Sequence, residues 1–288
     1  MARAVNGTAG LSGLLGEGHM TVLRHSVSVL ALESDRLQEL TKLIFDFAES
    51  TRAQGEEIVL EDGRPVVDVR LVKGRHLRPG ARYELAEAGA TDQVAVLVRE
   101  WQRRSAIAVE QLLASDDVTV RMALRLRTPD RPRLLEVEGQ VRGPEGSGAL
   151  RRGSGKARLD LAAWWAATDL APRALPAARA PATVRLRHRL GKAHLDLRPR
   201  RADGGRWQVD VVVTVRGRWL LRPVVAVALM VAGRPVRRGF RSEVEQAADE
   251  WNRSIGELLA LTPDDLRAEL TRQATERPPE EPMGAPAP

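Results

Sequence analysis

The segment TVRLRHRLGKAHLDLRPR, residues 183–200, alternates apolar and charged side chains on both sides of a Gly-Lys pair. Apolar residues at every second position predict β-strands with one buried face and one solvated face. A glycine at the first central position of a two-residue turn predicts a hairpin that turns at Gly191-Lys192. In that register Leu186 lies opposite Leu197, and His188 joins the apolar side.

The same alternation places the basic side chains of this hairpin on its outward face, and the chain as a whole carries a formal charge of +7. The arginines of the hairpin that we expect to reach solvent are Arg185, Arg187, Arg189 and Arg198. Such a surface suits the headgroups of anionic lipids or the phosphates of nucleic acid. The absence of aromatic residues at outward positions weighs against single-stranded nucleic acid. The alternative is a solvated face on which arginines pair with carboxylates across strands.

Alternation of apolar residues predicts further strands along the chain, some of them paired as hairpins. An Asp-Gly pair at 62–63 favours a turn between two of these strands, and a Thr-Pro-Asp-Arg-Pro run favours a turn between two others. The predicted strands cover residues 23–29, 57–61, 66–72, 118–126, 135–141 and 207–215.

Apolar residues at helical spacing predict helices on both sides of these strands. The first covers residues 33–51, and a second amphipathic helix follows Thr91 and reaches Leu112. A long helical region runs from Arg222-Pro223 to about Leu261, with an amphipathic second half that we expect to cover the sheet. A last short helix starts at Thr262, where a threonine cap precedes an acidic first turn.

The last predicted strand continues into this long helix through the sequence VDVVVTVRGRWLLRPVVAVALMVAGRPVRRGFRSEVEQAADEW, residues 209–251. This pattern resembles the START/polyketide-cyclase-like (SRPBCC) superfamily. The resemblance covers the C-terminal two thirds of the chain and implies the helix-grip fold, an α+β architecture in which a curved antiparallel sheet packs against a long C-terminal helix. Lipid carriers of the TULIP type, with long antiparallel strands, resemble the pattern too. Both resemblances imply an apolar cavity between sheet and helix.

The resemblance divides the chain into four parts. Residues 1–19 are expected to form a disordered leader, and residues 20–65 an N-terminal strand-helix addition that the family pattern does not explain. The helix-grip-like domain then covers residues 66–275, and a Pro-rich tail at 276–288 is expected to be disordered.

Four residues are our candidates for the lining of the implied cavity, and they come from the hairpin, the last strand and the long helix. They are His188, Trp207, Val211 and Trp251. As a polar group on an apolar wall, His188 could orient a carbonyl or hydroxyl group of a ligand. The alternative is a buried histidine that is hydrogen-bonded to a neighbour.

The tandem Trp164-Trp165 stands between cationic residues, a setting that favours contact with a membrane interface or the edge of a cavity. Ordinary core packing of a short helix is the alternative.

Several kinds of chemistry are excluded or disfavoured by the sequence. The chain has no cysteine, which excludes disulfides, thiolate ligands and cysteine nucleophiles. The Gly-rich stretch at 143–157 fails the phosphate-loop pattern, because Leu150 stands in place of its first glycine. His188 and His194 lie on opposite faces of the hairpin, so we predict no metal site. We therefore expect neither a cofactor nor a metal ion.

Our first functional hypothesis is a non-catalytic carrier or sensor that holds a hydrophobic small molecule or lipid between the sheet and the C-terminal helix. The second is a surface binder of anionic membrane or nucleic acid. The third is an enzyme of the cyclase or aromatase kind, which the resemblance would allow. The apolar run at 220–233 is too short to span a bilayer, so we expect a cytoplasmic protein or one attached peripherally to a membrane.

Overall fold

The chain is described by a computed structural model that covers residues 20–85, 93–144, 152–169, 179–217 and 233–276. The predicted leader, the Pro-rich tail beyond residue 276 and the first part of the predicted long helical region lie outside these residues.

The described residues form an α+β structure built on one large, curved and unclosed antiparallel sheet of thirteen strands. Strands β2 to β13 lie side by side in chain order, as a meander, and the last of them, β13, pairs with the first strand, β1. The strands are β1 Met20–Leu30, β2 Arg52–Gln54, β3 Glu57–Val59, β4 Pro65–Lys73, β5 Arg82–Leu85, β6 Gln93–Gln102, β7 Ala106–Ala114, β8 Thr119–Arg127, β9 Leu134–Arg142, β10 Arg152–Asp160, β11 Ala182–His188, β12 Gly191–Ala202 and β13 Arg206–Gly217.

Four helices accompany the sheet within the described residues: α1 Ser34–Ser50, α2 Leu161–Asp169, α3 Gly233–Ala260 and α4 Pro263–Thr275. Helix α1 follows one edge strand, β1, and leads to the opposite edge strand, β2. It therefore connects the two edges that the unclosed sheet leaves apart. The predicted threonine cap of α4 is confirmed, because Thr262 and Asp265 form a capping box.

Strand β1 pairs with β13 along its whole length, from Met20 opposite Arg216 to Leu30 opposite Arg206. The segment at 20–65 thus supplies an edge strand of the same sheet. Its exposed edge is covered near its end by α3, where Asn252 accepts a hydrogen bond from the Leu30 backbone N–H at 2.7 Å. The Asn252 amide also donates to the Ser28 carbonyl at 3.3 Å, so α3 engages backbone groups that this edge could otherwise offer to another strand.

The main core lies between the four helices and one face of the sheet, which we call the inner face. That face carries Val29, Trp207, Val209 and Val211, and the opposite face of the same strands is the outer face. Helix α3 packs on β1 as expected, and the Arg36 side chain of α1 donates to the Leu261 carbonyl just beyond the end of α3. Buried core residues from the helices are Leu40, Leu43, Ala248, Ile255 and Leu266.

A second, smaller core lies on strands β3 to β6 and contains Ile58, Leu71, Ala81, Tyr83 and Val98. Helix α1 reaches it as well, because the Phe45 and Trp101 rings meet edge to face with centroids 5.9 Å apart.

The predicted amphipathic helix from Thr91 to Leu112 is wrong, because this region forms the hairpin of β6 and β7. The error has a structural cause in a β-bulge between Val98 and Glu100, where the pairing register shifts. A bulge adds one residue to one strand and reverses the phase of the alternation. Val98 and Trp101 therefore face the same core three residues apart, a spacing that imitates a helix.

The hairpin at 183–200 forms as predicted, but its register differs. Leu186 pairs with Ala193 where Leu197 was expected, and Arg185 pairs with His194. The turn therefore precedes Gly191. Because the offset is an even number of residues, each side chain stays on its predicted face.

Candidate ligand-binding cavity

A cavity of about 560 Å³ lies between the inner face of the sheet and helices α2 and α3. This volume is typical of sites for small molecules. Its walls are almost entirely aliphatic and aromatic: Val27, Val29, Leu32, Leu37, Leu135, Val137, Ala157, Leu159, Leu161, Trp164, Trp165, Ala182, Val184, Leu195, Leu197, Trp207, Val209, Val211, Val213, Phe240, Val244, Ala247, Ala248 and Trp251. Arg158, Thr183 and Glu243 also border it. Strand alternation directs the Arg158 and Thr183 side chains to the outer face, so they contribute little polarity.

Helix α2 closes one side of the cavity because the end of β10 turns directly into it. The Asp160 side chain accepts a hydrogen bond from the Ala163 N–H at 3.0 Å and so caps the first turn. The Leu161 N–H donates to the Arg133 carbonyl at 2.9 Å, which anchors the helix to the loop before β9. These contacts direct the tandem tryptophans toward the sheet.

Trp164 meets Trp207 of β13 edge to face, with ring centroids 5.6 Å apart and planes at 69°. Both indole Nε1 atoms are buried, and neither has a hydrogen-bond partner. A buried donor without an acceptor costs about 1 to 3 kcal/mol. Two residues of the cavity wall thus carry buried indole N–H groups without an acceptor.

The other two tryptophans of the wall have satisfied indole groups. Trp165 donates from Nε1 to the Leu32 carbonyl at 3.1 Å, and Trp251 donates to the Leu30 carbonyl at 3.0 Å. Leu30 is the last residue of β1, and Leu32 lies in the segment that joins β1 to α1. Among the four tryptophans of this described wall, only Trp164 and Trp207 therefore have an indole N–H without an acceptor.

Three of the four residues that the sequence suggested for the lining border this cavity: Trp207, Val211 and Trp251. His188 does not. It lies on the inner face as expected, but two rows of the sheet beyond Val184, at the end of β11, where it borders a surface hollow with Arg152 and Gly153. Its Nδ1 accepts a hydrogen bond from the Leu190 N–H at 3.3 Å.

Trp164 and Trp165, for which the sequence suggested a membrane interface, the edge of a cavity or core packing, pack against the main core and border the cavity. The sequence offered a signal for this position. Asp160, a residue type that caps helices, stands four positions before Trp164, and this spacing indicates the start of a short helix that carries the tryptophans. That signal does not say which partner the helix would meet.

Of the hairpin arginines predicted on the outward face, Arg185, Arg187 and Arg189 are exposed, and Arg198 is half-buried. Elsewhere on the outer face arginines pair with carboxylates, as Arg125 does with Glu100 at 2.8 Å. Further pairs of this kind are Arg127–Glu136, Arg158–Asp160 and Arg200–Asp210. The outer face therefore has one part where arginines form ion pairs with carboxylates and another where they do not, among the described residues.

The residues that an acid–base mechanism would have used are dispersed. His188 is outside the cavity, Tyr83 belongs to the second core, and Asp160 caps α2. His194 pairs with Asp196 at 2.9 Å on the outer face. Among the described residues, no group of three histidine, aspartate or glutamate side chains comes close enough together to hold a metal ion.

A larger groove of about 930 Å³ lies between α1 and the β6–β7 turn, and it is polar. Its central residue is Arg103, which hydrogen-bonds to Asp46, Glu49 and Asp130. Hydrogen bonding by Asp46, with support from Asp130 and Glu49, raises the pKa of Arg103 above its ordinary value. Because Arg103 joins Asp46 and Glu49 of α1 to Asp130 of the β8–β9 turn, it attaches α1 to the sheet.

Within the described parts of the chain, no helix combines the length and the apolar character that crossing a bilayer requires.

No protein-family model and no curated protein matches the sequence. Among solved structures, the chain is similar to the hypothetical protein jhp0584 from Helicobacter pylori, with 8% sequence identity. That similarity covers 75% of this chain and 82% of the other, at a TM-score of 0.15.

Proposed function

We propose that this protein binds a hydrophobic small molecule or a lipid in the cavity between the sheet and helices α2 and α3, and acts as a carrier or sensor without catalysis. Support comes from a cavity of ligand size whose wall is almost wholly apolar. Apolar walls favour a ligand that is itself mostly hydrocarbon. The helix-grip resemblance also implies a sheet that curves around a C-terminal helix. We include in the proposal that the sheet and α3 have the helix-grip arrangement.

The observation that carries the proposal is the pair of unpartnered indole groups on Trp164 and Trp207. Rotation of either indole ring toward the cavity would let its buried N–H donate to an acceptor oxygen of a bound ligand. The ligand is therefore hydrophobic and carries at least one such oxygen.

An uncharged oxygen, as in an ester, ketone or amide, fits this wall better than a carboxylate. The nearest arginine, Arg158, has its side chain on the outer face and is paired with Asp160 at 3.1 Å. A buried carboxylate without a cation would pay a large desolvation cost.

Native mass spectrometry of the purified protein, followed by organic extraction under denaturing conditions, tests the proposal. We expect a bound molecule at one per chain, apolar and with a carbonyl group. Val211 is 6% exposed on the cavity wall, and Val211→Trp should fill the cavity and abolish binding. Val72 is 37% exposed on β4, so Val72→Trp is a control that should retain it.

If the protein purifies without a bound molecule, binding of Nile red, an apolar dye with a carbonyl group, provides the second test. Saturable binding at one site that Val211→Trp removes and Val72→Trp preserves supports the cavity. Binding that both variants retain, or no binding at all, contradicts it.

A further inference from the structure

Seven exposed cations gather on the outer face at the end of the sheet where β11 turns into β12. Among the described residues, none of them forms an ion pair with a carboxylate. They are Arg142, Arg152, Arg185, Arg187, Arg189, Lys192 and Arg216, and we call them the cationic end.

The pairing register brings several of these cations directly opposite one another. Arg142 pairs with Arg152, Arg187 with Lys192, and Lys192 in turn with Arg216. Like charges at directly opposed positions destabilise a sheet. Three such contacts in adjacent strands lower stability unless an anionic partner offsets the repulsion.

The carboxylates on the neighbouring rows are already engaged. Glu138 is held by Lys156 at 2.6 Å, and Asp196 by His194 at 2.9 Å. Asp116 and Asp117 lie at the margin, in the turn between β7 and β8. The cationic end thus retains a concentrated positive charge, whereas the rest of the outer face is largely neutralised.

Apolar side chains are exposed at the same end of the sheet. Leu186 of β11 is 53% exposed, and Leu190 in the hairpin turn is 43% exposed. On the inner face of β8 and β9, Met122 and Val141 are 42% and 41% exposed, and on the outer face Met20, opposite Arg216, is 48% exposed. Cations beside exposed apolar side chains fit the boundary between headgroups and acyl chains of a bilayer.

We propose that the cationic end docks on an anionic membrane surface. Lipid phosphates accept hydrogen bonds from its guanidinium and ammonium groups, while Leu186 and Leu190 enter the apolar layer. Nucleic acid is the less suitable partner, because the exposed apolar side chains beside the cations, among the described residues, are aliphatic and offer no aromatic platform for bases.

The docked end is also continuous with the cavity. Leu186 lies on the inner face one row beyond Val184, which borders the cavity, so it extends the apolar lining toward the hairpin turn as far as His188. The membrane contact does not depend on the cavity, and the two proposals can fail separately.

Co-sedimentation with vesicles tests the docking. Vesicles of phosphatidylcholine and phosphatidylglycerol in equal amounts should bind the protein, and vesicles of phosphatidylcholine alone should not. Added salt should weaken the binding steeply. The triple variant Arg187→Gln, Lys192→Gln and Arg216→Gln should bind on the order of 100-fold more weakly, from the effect of each cation near an anionic surface.

A matched control removes the same charge elsewhere. Lys73, Arg75 and Arg78 are exposed around the β4–β5 connection and form no ion pair among the described residues. Their triple replacement by Gln should leave vesicle binding unchanged. The melting temperature of the cationic-end variant should not fall, because its replacements remove like-charge contacts, so weaker binding would not reflect unfolding.

Leu186→Ser with Leu190→Ser should weaken binding to the mixed vesicles while its salt dependence persists. Val211→Trp should bind these vesicles like the unaltered protein, which separates docking from ligand binding. The proposal would be overturned if both triple variants lost vesicle binding equally, or if the protein bound the two kinds of vesicle equally. Preferential binding of random-sequence DNA at the same phosphate concentration would overturn it too.

Discussion

Trp164 of α2 and Trp207 of β13 contact each other edge to face across the cavity wall, and each leaves its indole N–H unpaired. Trp207→Phe keeps an aromatic ring at this contact and removes one of the two donors. We expect it to weaken the binding of Nile red, which carries a carbonyl group, by about fivefold, the effect of one hydrogen bond.

Pyrene, a hydrocarbon without an acceptor, should bind the Trp207→Phe variant and the unaltered protein alike. Fluorescence titration of both probes makes the comparison. A parallel loss for the two probes would mean that Trp207 contributes shape alone.

The second prediction concerns a hydrogen-bonded chain in the smaller core. Tyr83 hydrogen-bonds to Nδ1 of His76 at 2.9 Å, and Nε2 of His76 hydrogen-bonds to Thr51 at 2.9 Å. The Thr51 hydroxyl donates to the Ala48 carbonyl, and the Leu77 N–H donates to the Tyr83 hydroxyl. With Nε2–H donating and Nδ1 accepting, a neutral His76 satisfies every member of the chain.

Burial lowers the pKa of His76 below its ordinary value, against an opposing hydrogen bond from Thr51. His76 therefore binds a proton more readily in the unfolded chain than in the folded one. The contribution of His76 to the stability of the folded state is present above the ordinary histidine pKa of about 6.5. That contribution is lost as the pH falls below this value toward the lowered pKa. Urea unfolding at a series of pH values should show this slope, and His76→Phe should flatten it; an unchanged slope in the variant would refute the assignment.

The third prediction concerns the arginine that attaches α1 to the sheet. Arg103→Gln leaves the carboxylates of Asp46, Glu49 and Asp130 without their shared cation. We expect the free energy of unfolding to fall by about 1 to 2 kcal/mol, since solvent screens these partly exposed partners. The difference should shrink in high salt. Arg104→Gln, at an exposed neighbour without an ion pair among the described residues, should change stability little.

The fourth prediction concerns the side chain that covers the edge of β1. Asn252→Ala removes both hydrogen bonds to Ser28 and Leu30 and exposes the strand edge. We expect the free energy of unfolding to fall by about 1 to 2 kcal/mol, with more association at high concentration. Urea unfolding and light scattering measure the two effects. Arg253→Ala, at an exposed neighbour on α3, is the control; equal behaviour of the two variants would rule out this role for Asn252.

The strands that alternate cleanly were predictable from the sequence. β1, β8, β9 and β13 lie where the alternation placed them, because a side-chain period of two is a property of each strand alone. For the same reason the inner and outer faces of the hairpin at 183–200 were assigned correctly, although its register was not.

The register, the bulge and the strand partners depend on neighbours that are distant in the chain. β10 begins RGSGKA, a sequence with little strand propensity, and it is a strand because β9 and β11 pair with both its edges. The bulge before Glu100 likewise depends on pairing with β7, and it gave this hairpin the apolar spacing of a helix.

The sequence by itself determined that one face of the sheet is apolar and the other cationic, because local alternation is enough to separate them. Only the tertiary structure decided which tryptophans share a wall and which cations lack a partner. Trp164 meets Trp207, and Arg187 faces Lys192 and through it Arg216, because the folding of the sheet and α2 sets distances between residues far apart in the chain. Hydrogen bonds and ion pairs act over a few ångströms, so whether such groups are satisfied follows from those distances alone.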